Sequence, residues 1–598
     1  MGKETKARDQ IDQKYKWNID KMYSDDEQWK SDYKIVEDKA KDFVEYSGKL
    51  GDSPQILLEA LQKKDNIWLV LEKVYVYARM KKDEDNRVNK YQAMSDKASS
   101  LIAKTSSYMS FFTPELLEIP EEKLRGFITS EEGLKLYEHA INDTLREKAH
   151  ILTKNEENLM AQFSEIAGST NDIFSMINNA DIKFGTIKDE DGDEVEVTHG
   201  RYIGFMESHD RRVRKEAFEH MYDAYDKLKN TLATTYNYNT KTDVITARIR
   251  KYDSARSMAL SGDNIPAEVY DNLVDTVNSR LDLLHRYVEV RRKLLKVDEV
   301  HMYDMYVPLV EMPKKEIPYE RGLEIMREGL APMGEDYIGK MNKGIDAGWI
   351  DVYENEGKTS GAYSFGSYDS MPYIMMNYNG KLKDVFTLIH EMGHSMHSYY
   401  TRQNQPFVYG GHSIFTAEVA STVNESLLMH HLLNNSKDPE EKKYLLNLYI
   451  EEFRTTLFRQ TMFAEFEKLT HEAVEKGEVL TAEWLSEEYG KLNRKYYGEK
   501  VSYDPQIEME WSRIPHFYRA FYVYKYATGY SAAAAISEKI LKEGKPARDA
   551  YIEFLKTGDS DYPIELLKIA GVDMSKPEPI IQAMDAFEKL IVEIEKLV

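Results

Sequence analysis

Residues 385–397 read Val-Phe-Thr-Leu-Ile-His-Glu-Met-Gly-His-Ser-Met-His, and this stretch decides how the whole chain is interpreted. The window contains no proline, and its apolar residues recur at helical spacing: Val385, Ile389, Met392 and Met396. The spacing predicts a helix with one buried face. Because His390 and His394 are four residues apart, they project from the same side of that helix.

Two imidazoles placed in this way can hold one metal ion, and Glu391 can reach a water molecule at the metal without being a ligand. With 15 histidines in the chain, a chance match is expected in on the order of a few per cent of such sequences. On the motif alone, two surface histidines therefore stay an open alternative. A catalytic zinc takes three protein ligands and leaves one position open, so a third ligand is required.

A second predicted helix, over residues 415–425, supplies that ligand. Glu418 and Glu425 lie seven residues apart on one face. The residues between them include small ones that allow close helix packing: Ala417, Ala420 and Ser421. We predict one zinc ion per chain, held by His390, His394 and Glu418. Glu425 is expected to accept the other N–H of a ligand histidine, the alternative being an ordinary solvated glutamate.

Composition narrows the classes of function. The chain has 598 residues and no cysteine, which excludes disulfides and thiolate ligands. A net charge of −23 argues against nucleic acid and anionic membranes as partners. The first ten residues mix both charge signs, and no apolar run reaches the length of a membrane span, so a cytoplasmic protein is expected. The sequence does not predict the oligomeric state.

Along the chain, most segments predict amphipathic helices, so the expected fold is mainly α. Residues 1–200 form an expected N-terminal helical region that ends in a β-hairpin at 184–197, where Asp191-Gly192 supplies the turn. Residues 201–598 form the expected catalytic region. Residues 360–379 combine glycines, aromatic residues and short apolar runs, which is typical of strands. His397 lies on the face of the two ligand histidines, and substrate contact or core packing is favoured over ligation.

The arrangement His-Glu-x-Gly-His, followed by Glu418 24 residues after His394, resembles the thimet oligopeptidase family of zinc metallopeptidases. The surrounding stretches are similar to its bacterial branch, oligoendopeptidase F: 15–18 (Tyr-Lys-Trp-Asn), 360–365 (Ser-Gly-Ala-Tyr-Ser-Phe), 389–397, 416–421 (Thr-Ala-Glu-Val-Ala-Ser) and 516–522 (His-Phe-Tyr-Arg-Ala-Phe-Tyr). The resemblance implies a large helical ellipsoid, a small β-sheet next to the motif helix, and a deep internal channel for short peptides. Residues 1–200 would then form a lid or channel wall.

The predicted reaction is hydrolysis of internal bonds in short peptides, with Glu391 as the general base. In the family, a histidine and tyrosines near residue 520 assist the transition state, which implies a catalytic role for His516, Tyr526 and Tyr530. Four tyrosines recur in this region at a spacing of four, along what the sequence predicts to be a helix: Tyr518, Tyr522, Tyr526 and Tyr530. An aromatic packing stripe is the alternative.

Substrate contacts are expected at Gly361, Ala362 and Tyr363. The strand at 373–378, which begins with Tyr373, resembles the segment whose edge binds a peptide as an added strand, and a plain buried strand is the alternative. Two other functions stay open. The first is a carboxydipeptidase with the same zinc site, and the second is an inactive helical peptide-binding scaffold, which the presence of Glu391 disfavours.

Overall fold

The computed structural model describes residues 5–310 and 316–597. Helix accounts for 72% of the chain and strand for 3%, so the prediction of a mainly α fold is confirmed. None of the helices in the described ranges combines the length and the apolar character that a membrane crossing requires. The prediction about the first ten residues falls in part on residues 1–4, which lie outside the described residues.

The helices that precede residue 310 are α1 (Asp26–Asp42), α2 (Pro54–Glu84), α3 (Asn89–Tyr108), α4 (Phe112–Glu118), α5 (Glu121–Ser130), α6 (Glu138–Arg146), α7 (Lys154–Met176), α8 (His199–Met206), α9 (Arg211–Asp226), α10 (Lys229–Ile249), α11 (Ala255–Ser261), α12 (Ala267–Ser279) and α13 (Leu281–Leu295). From residue 316 onward they are α14 (Tyr319–Gly329), α15 (Gly334–Asp346), α16 (Leu382–Asn404), α17 (Ile414–Asn435), α18 (Pro439–Glu452), α19 (Arg459–Glu475), α20 (Ala482–Tyr497), α21 (Tyr524–Glu543), α22 (Lys545–Leu555), α23 (Pro563–Ile569) and α24 (Glu578–Glu595).

The strands are short. They are β1 (Thr186–Lys188), β2 (Glu194–Glu196), β3 (Val300–His301), β4 (Ile350–Asp351), β5 (Tyr363–Phe365), β6 (Tyr373–Met375) and β7 (Val501–Ser502). The strands β1 and β2 pair antiparallel, β3 and β7 pair parallel, and the remaining three form one sheet in the order β4-β6-β5.

The chain forms two compact units. The first comprises residues 1–149, 315–428 and 536–571, and the second comprises 150–314, 429–535 and 572–598. In the first unit, α1, α2 and α3 pack together around buried apolar side chains such as Phe43 and Leu57. In the second, α10, α19 and α20 pack together, and Arg459 pairs with the buried Glu510 at 2.7 Å. The predicted functional division at residue 200 stays a prediction.

The hairpin at 184–197 forms as the sequence predicts. Ile187 on β1 pairs with Val195 on β2. Gly192 has a φ of 89°, a left-handed conformation that glycine adopts without steric cost. The side chain of Asp189 accepts the backbone N–H groups of Asp191 and Asp193 at 3.0 and 2.9 Å, which closes the turn.

The sheet of β4, β6 and β5 belongs to the first unit and lies beside α16. The hydroxyl groups of Ser364 on β5 and Ser395 on α16 are 2.8 Å apart, which confirms the prediction of a small sheet next to the motif helix. β6 is the inner strand, parallel to β4 and antiparallel to β5. The expectation that β6 offers a free edge is therefore wrong, since both of its edges are paired. Within the described residues, the free edge of this sheet on the β5 side belongs to β5 itself.

The stretch at 15–18 holds this sheet from its other side. The backbone N–H of Trp17 donates to the carboxylate of Asp351 on β4, and the hydroxyl of Tyr373 on β6 donates to the carbonyl oxygen of Asn18 at 2.9 Å. Asp351 is almost fully buried and pairs with Lys358 at 2.8 Å. Although burial opposes ionisation of Asp351, the cations Lys358 and Arg8 together keep the pKa of its carboxyl below the ordinary value.

Candidate metal centre

The two histidines of the motif are carried by α16. In its first turn, the Asp384 side chain accepts the backbone N–H of Lys381 at 2.9 Å, which satisfies a donor at the start of the helix. The predicted apolar face is buried, with no exposed surface on Val385, Ile389, Met392 or Met396. This burial fixes the rotation of α16, so the histidines stand at the border of the packed face.

Gly393 allows α17 to approach α16 closely. A Cβ atom at this position would lie 2.6 Å from the carbonyl oxygen of Ala420 and 2.6 Å from the Cα of Ser421, so no larger residue fits without a shift of backbone. One turn along, the buried Asn424 side chain donates to the Ile389 carbonyl oxygen at 3.4 Å. The glycine of the motif and the small residues of α17 therefore serve one contact between helices.

This contact brings three candidate ligand residues together. Nε2 of His390 lies 3.5 Å from Oε2 of Glu418, and Nε2 of His394 lies 3.6 Å from the same oxygen. One ligand atom from each of the three residues lies within 4.8 Å of the others. Ligand atoms around a tetrahedral zinc ion with ordinary bond lengths are roughly 3.4 Å apart, so the group fits such an ion.

The outer nitrogens of both imidazoles also have partners. Nδ1 of His390 lies 3.2 Å from Oε2 of Glu425, which is the position predicted for this glutamate. His394 makes a hydrogen bond with the backbone of Ala417. Acceptors at the outer nitrogens favour the tautomer that leaves Nε2 free to bind a metal. Ser421 donates to Oε2 of Glu418 at 3.2 Å and so helps to orient this carboxylate, the third ligand.

Glu391 is 8% exposed and lies beside this group. Burial raises the pKa of its carboxyl to about 7, partly offset by the charge of His390 and by a hydrogen bond from the backbone of Ser364. A carboxyl group with a pKa near neutrality can both take up and release a proton at neutral pH. Burial lowers the pKa of His390, but the hydrogen bond with Glu425 and the charges of the nearby glutamates together outweigh it and raise the value to about 9.

Family models match two parts of the chain. Residues 204–586 match the model described as Peptidase family M3, and residues 115–184 match the model described as Oligopeptidase F. The chain belongs to peptidase family M3. Its resemblance to the oligoendopeptidase F branch is confirmed, and the M3 chain is a peptidase that acts on peptides.

Relatives of the M3 chain match over nearly its whole length. Oligopeptidase PepF of Bacillus subtilis is 50% identical over 100% of this chain and 90% of the relative. Group B oligopeptidase PepB of Streptococcus agalactiae is 44% identical over 99% of this chain and 98% of the relative. Among solved structures, oligoendopeptidase-F from Enterococcus faecium is 40% identical, with a TM-score of 0.74 over 96% of this chain and 99% of that one.

In the M3 chain, three of the four residues predicted to contact substrate lie on β5 or directly before it. Gly361 has a left-handed φ of 86°, and no other described residue comes within 4 Å of the position that a Cβ would take there. Its carbonyl oxygen accepts a hydrogen bond from Asn377 at 2.8 Å. Ala362 follows, and Tyr363 begins the edge strand. Tyr373 lies on the inner strand with its side chain buried, so its predicted contact with substrate lacks an exposed surface.

His397 belongs to the packed core of the first unit. Its ring centroid is 3.7 Å from that of His412, and the side chain is 2% exposed. Burial lowers the pKa of His397 well below its ordinary value, so the imidazole stays neutral. Of the two interpretations favoured by the sequence, core packing is the one that the structure supports.

The segment around His516 lies in the second unit and differs from its prediction. A 3-10 turn spans Pro515–Tyr518, whereas α21 begins only at Tyr524, so the four tyrosines do not share one helix. Between these two elements the helical geometry is interrupted at Phe521, which has a left-handed φ of 52°. The predicted stripe is therefore wrong as a continuous helical face: Tyr518 stacks on Phe174, with ring centroids 4.4 Å apart.

The break nevertheless brings His516 next to Tyr526. Nε2 of His516 lies 3.5 Å from the hydroxyl of Tyr526, and the ring of Tyr522 is parallel to the imidazole at a centroid distance of 6.1 Å. Tyr530 is 8% exposed and packs edge-on against Phe453 at 4.9 Å. Burial together with the charge of Arg519 lowers the pKa of His516 below its ordinary value.

Sequence reasoning missed several residues that support these groups. Ser364 and Ser395 lie inside stretches that the resemblance singled out, so their positions carried a signal, although their roles did not. Asp83, which binds the hydroxyl of Tyr363, lies more than 270 residues from it in the chain and has no motif of its own.

Proposed function

We propose that the M3 chain is a zinc-dependent oligoendopeptidase that hydrolyses internal bonds of short peptides. The observation that carries the proposal is the group of His390, His394 and Glu418, whose ligand atoms lie within 4.8 Å of one another. Two imidazoles and one carboxylate, without thiolates, favour zinc over calcium or magnesium. A zinc ion at this group supplies Lewis-acid chemistry, which polarises a peptide carbonyl and makes a water molecule acidic near neutral pH.

The protein's own residues then move the proton. Glu391 takes a proton from the attacking water at its carboxylate and delivers it to the nitrogen of the leaving amine. Its position beside the ligand group, where it is 8% exposed, supports both steps. Glu425 holds Nδ1 of His390 and so keeps the ligand imidazole in one orientation.

We also propose that His516 and Tyr526 donate hydrogen bonds to the oxyanion that forms when water attacks the carbonyl. The family resemblance at 516–522 supports this role, and within the second unit Nε2 of His516 lies 3.5 Å from the hydroxyl of Tyr526. The role of Tyr530 stays a prediction. Substitution of Tyr526 or Tyr530 by Phe removes only a hydroxyl, so the fall in kcat in each variant separates an oxyanion donor from a packing residue.

The test is hydrolysis of a quenched fluorogenic peptide of about ten residues with both ends blocked. We expect activity that a chelator abolishes and zinc restores, and that Glu391→Gln lowers by about 10²–10⁴-fold with the bound metal retained. The matched control is Glu122→Gln, on an exposed position of α5, which should leave activity unchanged.

Each alternative predicts a different result in this assay. A carboxydipeptidase would spare the blocked peptide and cleave only peptides with a free carboxyl end. A peptide-binding scaffold would bind the peptide without hydrolysis at any zinc concentration. Full activity in Glu391→Gln would remove the general base from the mechanism.

A further inference from the structure

Asp83 lies in the last turn of α2, in the first unit, and is 2% exposed. A carboxylate at the carboxyl end of a helix is opposed by the helix dipole, and its burial adds a further cost. Hydrogen-bond donors offset both costs. Arg79 donates to Oδ2 of Asp83 at 3.0 Å, and the other two donors come from a distant part of the chain.

Those two donors are side-chain hydroxyls. The hydroxyl of Thr359 donates to Oδ1 of Asp83 at 2.9 Å, and the hydroxyl of Tyr363 donates to Oδ2 at 3.0 Å. The backbone adds a third link, because the N–H of Thr359 donates to the carbonyl oxygen of Asp83 at 3.0 Å. Asp83 therefore joins the end of α2 to both ends of the segment 359–363.

The same segment is held from the sheet side by Asn377. Its side-chain amide donates to the carbonyl oxygens of Thr359 and Gly361 at 3.0 and 2.8 Å. Next to Asp83, the backbone N–H of Asn86 donates to the Gly357 carbonyl oxygen at 2.8 Å. The segment that leads into β5 is thus held by contacts on two sides, and its position does not depend on strand pairing alone.

β5 connects this support to the general base. Tyr363 and Ser364 are adjacent on the strand, so their side chains point to opposite faces. Tyr363 reaches Asp83 on α2, whereas Ser364 contacts Ser395 on α16 and hydrogen-bonds through its backbone with Glu391. A shift of the strand at Tyr363 would therefore move the backbone that lies against Glu391.

We propose that Asp83 is a positioning residue for peptide binding: by holding Thr359 and Tyr363, it sets the free edge of β5 at the place where a substrate backbone can pair with it beside Glu391. This inference rests on the proposed function, and it adds that the substrate peptide pairs with the edge of β5 as an added strand. Asp83 lies outside both regions that match the family models, 115–184 and 204–586. It touches neither the proposed ligands nor the reacting atoms.

The test compares Asp83→Asn with Asp65→Asn. Asp65 also lies on α2 and accepts a hydrogen bond from the hydroxyl of Tyr137 at 2.8 Å. Asp65→Asn therefore removes the same kind of hydrogen bond, but at a place away from the edge strand β5. We expect Asp83→Asn to raise KM for the blocked peptide about tenfold, the size of one lost hydrogen bond to a charged group. Its kcat and zinc content should stay at the native level, and Asp65→Asn should leave KM unchanged.

A second variant keeps the proposal testable if Asp83→Asn does not fold. Tyr363→Phe removes one of the same hydrogen bonds and should raise KM in the same direction. Because both substitutions break the same hydrogen bond, KM of the double variant should be no higher than KM of Asp83→Asn alone. Additive effects would mean that Asp83 and Tyr363 act separately, which would overturn the proposal.

Peptide binding measured without turnover separates this inference from the proposed function. In a Glu391→Gln background, fluorescence anisotropy of a labelled peptide reports Kd directly, and Asp83→Asn should weaken binding about tenfold whether or not the chain hydrolyses peptides. An unchanged Kd in Asp83→Asn, or an equal loss in Asp65→Asn, would reduce Asp83 to a structural role.

Discussion

Two regions of the molecule carry the residues proposed for catalysis, and they are built in opposite ways. In the first unit, the ligand group is placed by α16 and α17, where every functional residue follows the regular spacing of a helix. In the second unit, His516 meets Tyr526 only because the chain is irregular, with a 3-10 turn, a left-handed Phe521 and then the start of α21. The spacing of residues in the sequence therefore predicts which side chains share a face only where the helix is continuous.

The irregular region is held by a buried acid. Oε1 of Glu467 on α19 accepts the backbone N–H of Phe521 at 2.5 Å, and the ring of His471, one turn later, packs on Phe521 with centroids 4.5 Å apart. Among the described residues, the other oxygen of Glu467 has no hydrogen-bond partner. Burial raises the pKa of Glu467 well above its ordinary value, because a charged carboxylate is disfavoured where water is excluded.

The strongest test of the regular region is Gly393→Ala. The added methyl group would meet the backbone of α17 at 2.6 Å, which must move the two helices apart. We expect zinc affinity to fall by more than about 100-fold and stability to drop by about 1–3 kcal/mol, as for other overpacked contacts. Isothermal titration with zinc and urea denaturation measure the two effects.

The control for this change is Gly126→Ala on α5. Apart from its own turn of helix, no atom of the described residues lies within 4 Å of the position that its Cβ would take, so the substitution should add about 0.5–1 kcal/mol of helix propensity without affecting zinc. Equal behaviour of the two variants would show that close helix approach is not what assembles the ligand group.

A smaller effect is expected from Glu425→Ala. Without the acceptor at Nδ1, His390 loses its fixed tautomer and orientation, and zinc affinity should fall about 10–100-fold. Competition with a zinc-binding dye measures it. Glu425→Gln keeps an acceptor, so its zinc affinity should lie between that of the native protein and that of the alanine variant. Native zinc affinity in Glu425→Ala would assign this glutamate to the solvated surface.

The irregular region is tested by Glu467→Leu, which removes the acceptor from the Phe521 N–H while keeping a side chain of similar volume. If the segment positions His516 for catalysis, kcat should fall about tenfold, the cost of one unsatisfied buried donor, with zinc affinity unchanged. Glu467→Gln retains an acceptor and should keep native kcat. A native kcat in Glu467→Leu would show that the turn at Phe521 is held without this hydrogen bond.

The smallest expected effect is a pH dependence of stability that belongs to Glu467. Since the folded pKa is raised, the folded state keeps a proton that the unfolded state releases above about pH 4.5. The contribution of Glu467 to the free energy of unfolding is fully present below that pH. It declines as the pH rises, by at most about 1.4 kcal/mol per pH unit. Glu467→Gln lacks this decline, so its stability relative to the native protein in urea denaturation should grow as the pH rises above about 4.5. Parallel curves of stability against pH for the two proteins would contradict a raised pKa of Glu467.

The sequence alone determined the parts of the molecule that depend on local geometry. Residues four apart on a helix share a face whatever surrounds them, so the spacing of His390 and His394 predicted their common direction, and that of Glu418 and Glu425 did the same on α17. The hairpin turn at Asp191-Gly192 and the mainly α fold were predictable for the same reason, because turn chemistry and helical periodicity are contained in neighbouring residues.

The features that join distant parts of the chain could be seen only in the tertiary structure. Which strand forms the sheet edge depends on the pairing of β6 with both β4 and β5, and a strand sequence does not specify its neighbours. The break at Phe521 depends on Glu467, and the support of Tyr363 depends on Asp83, each more than 50 residues away in sequence. Such contacts form when separate elements pack together, so no local pattern marks them in advance.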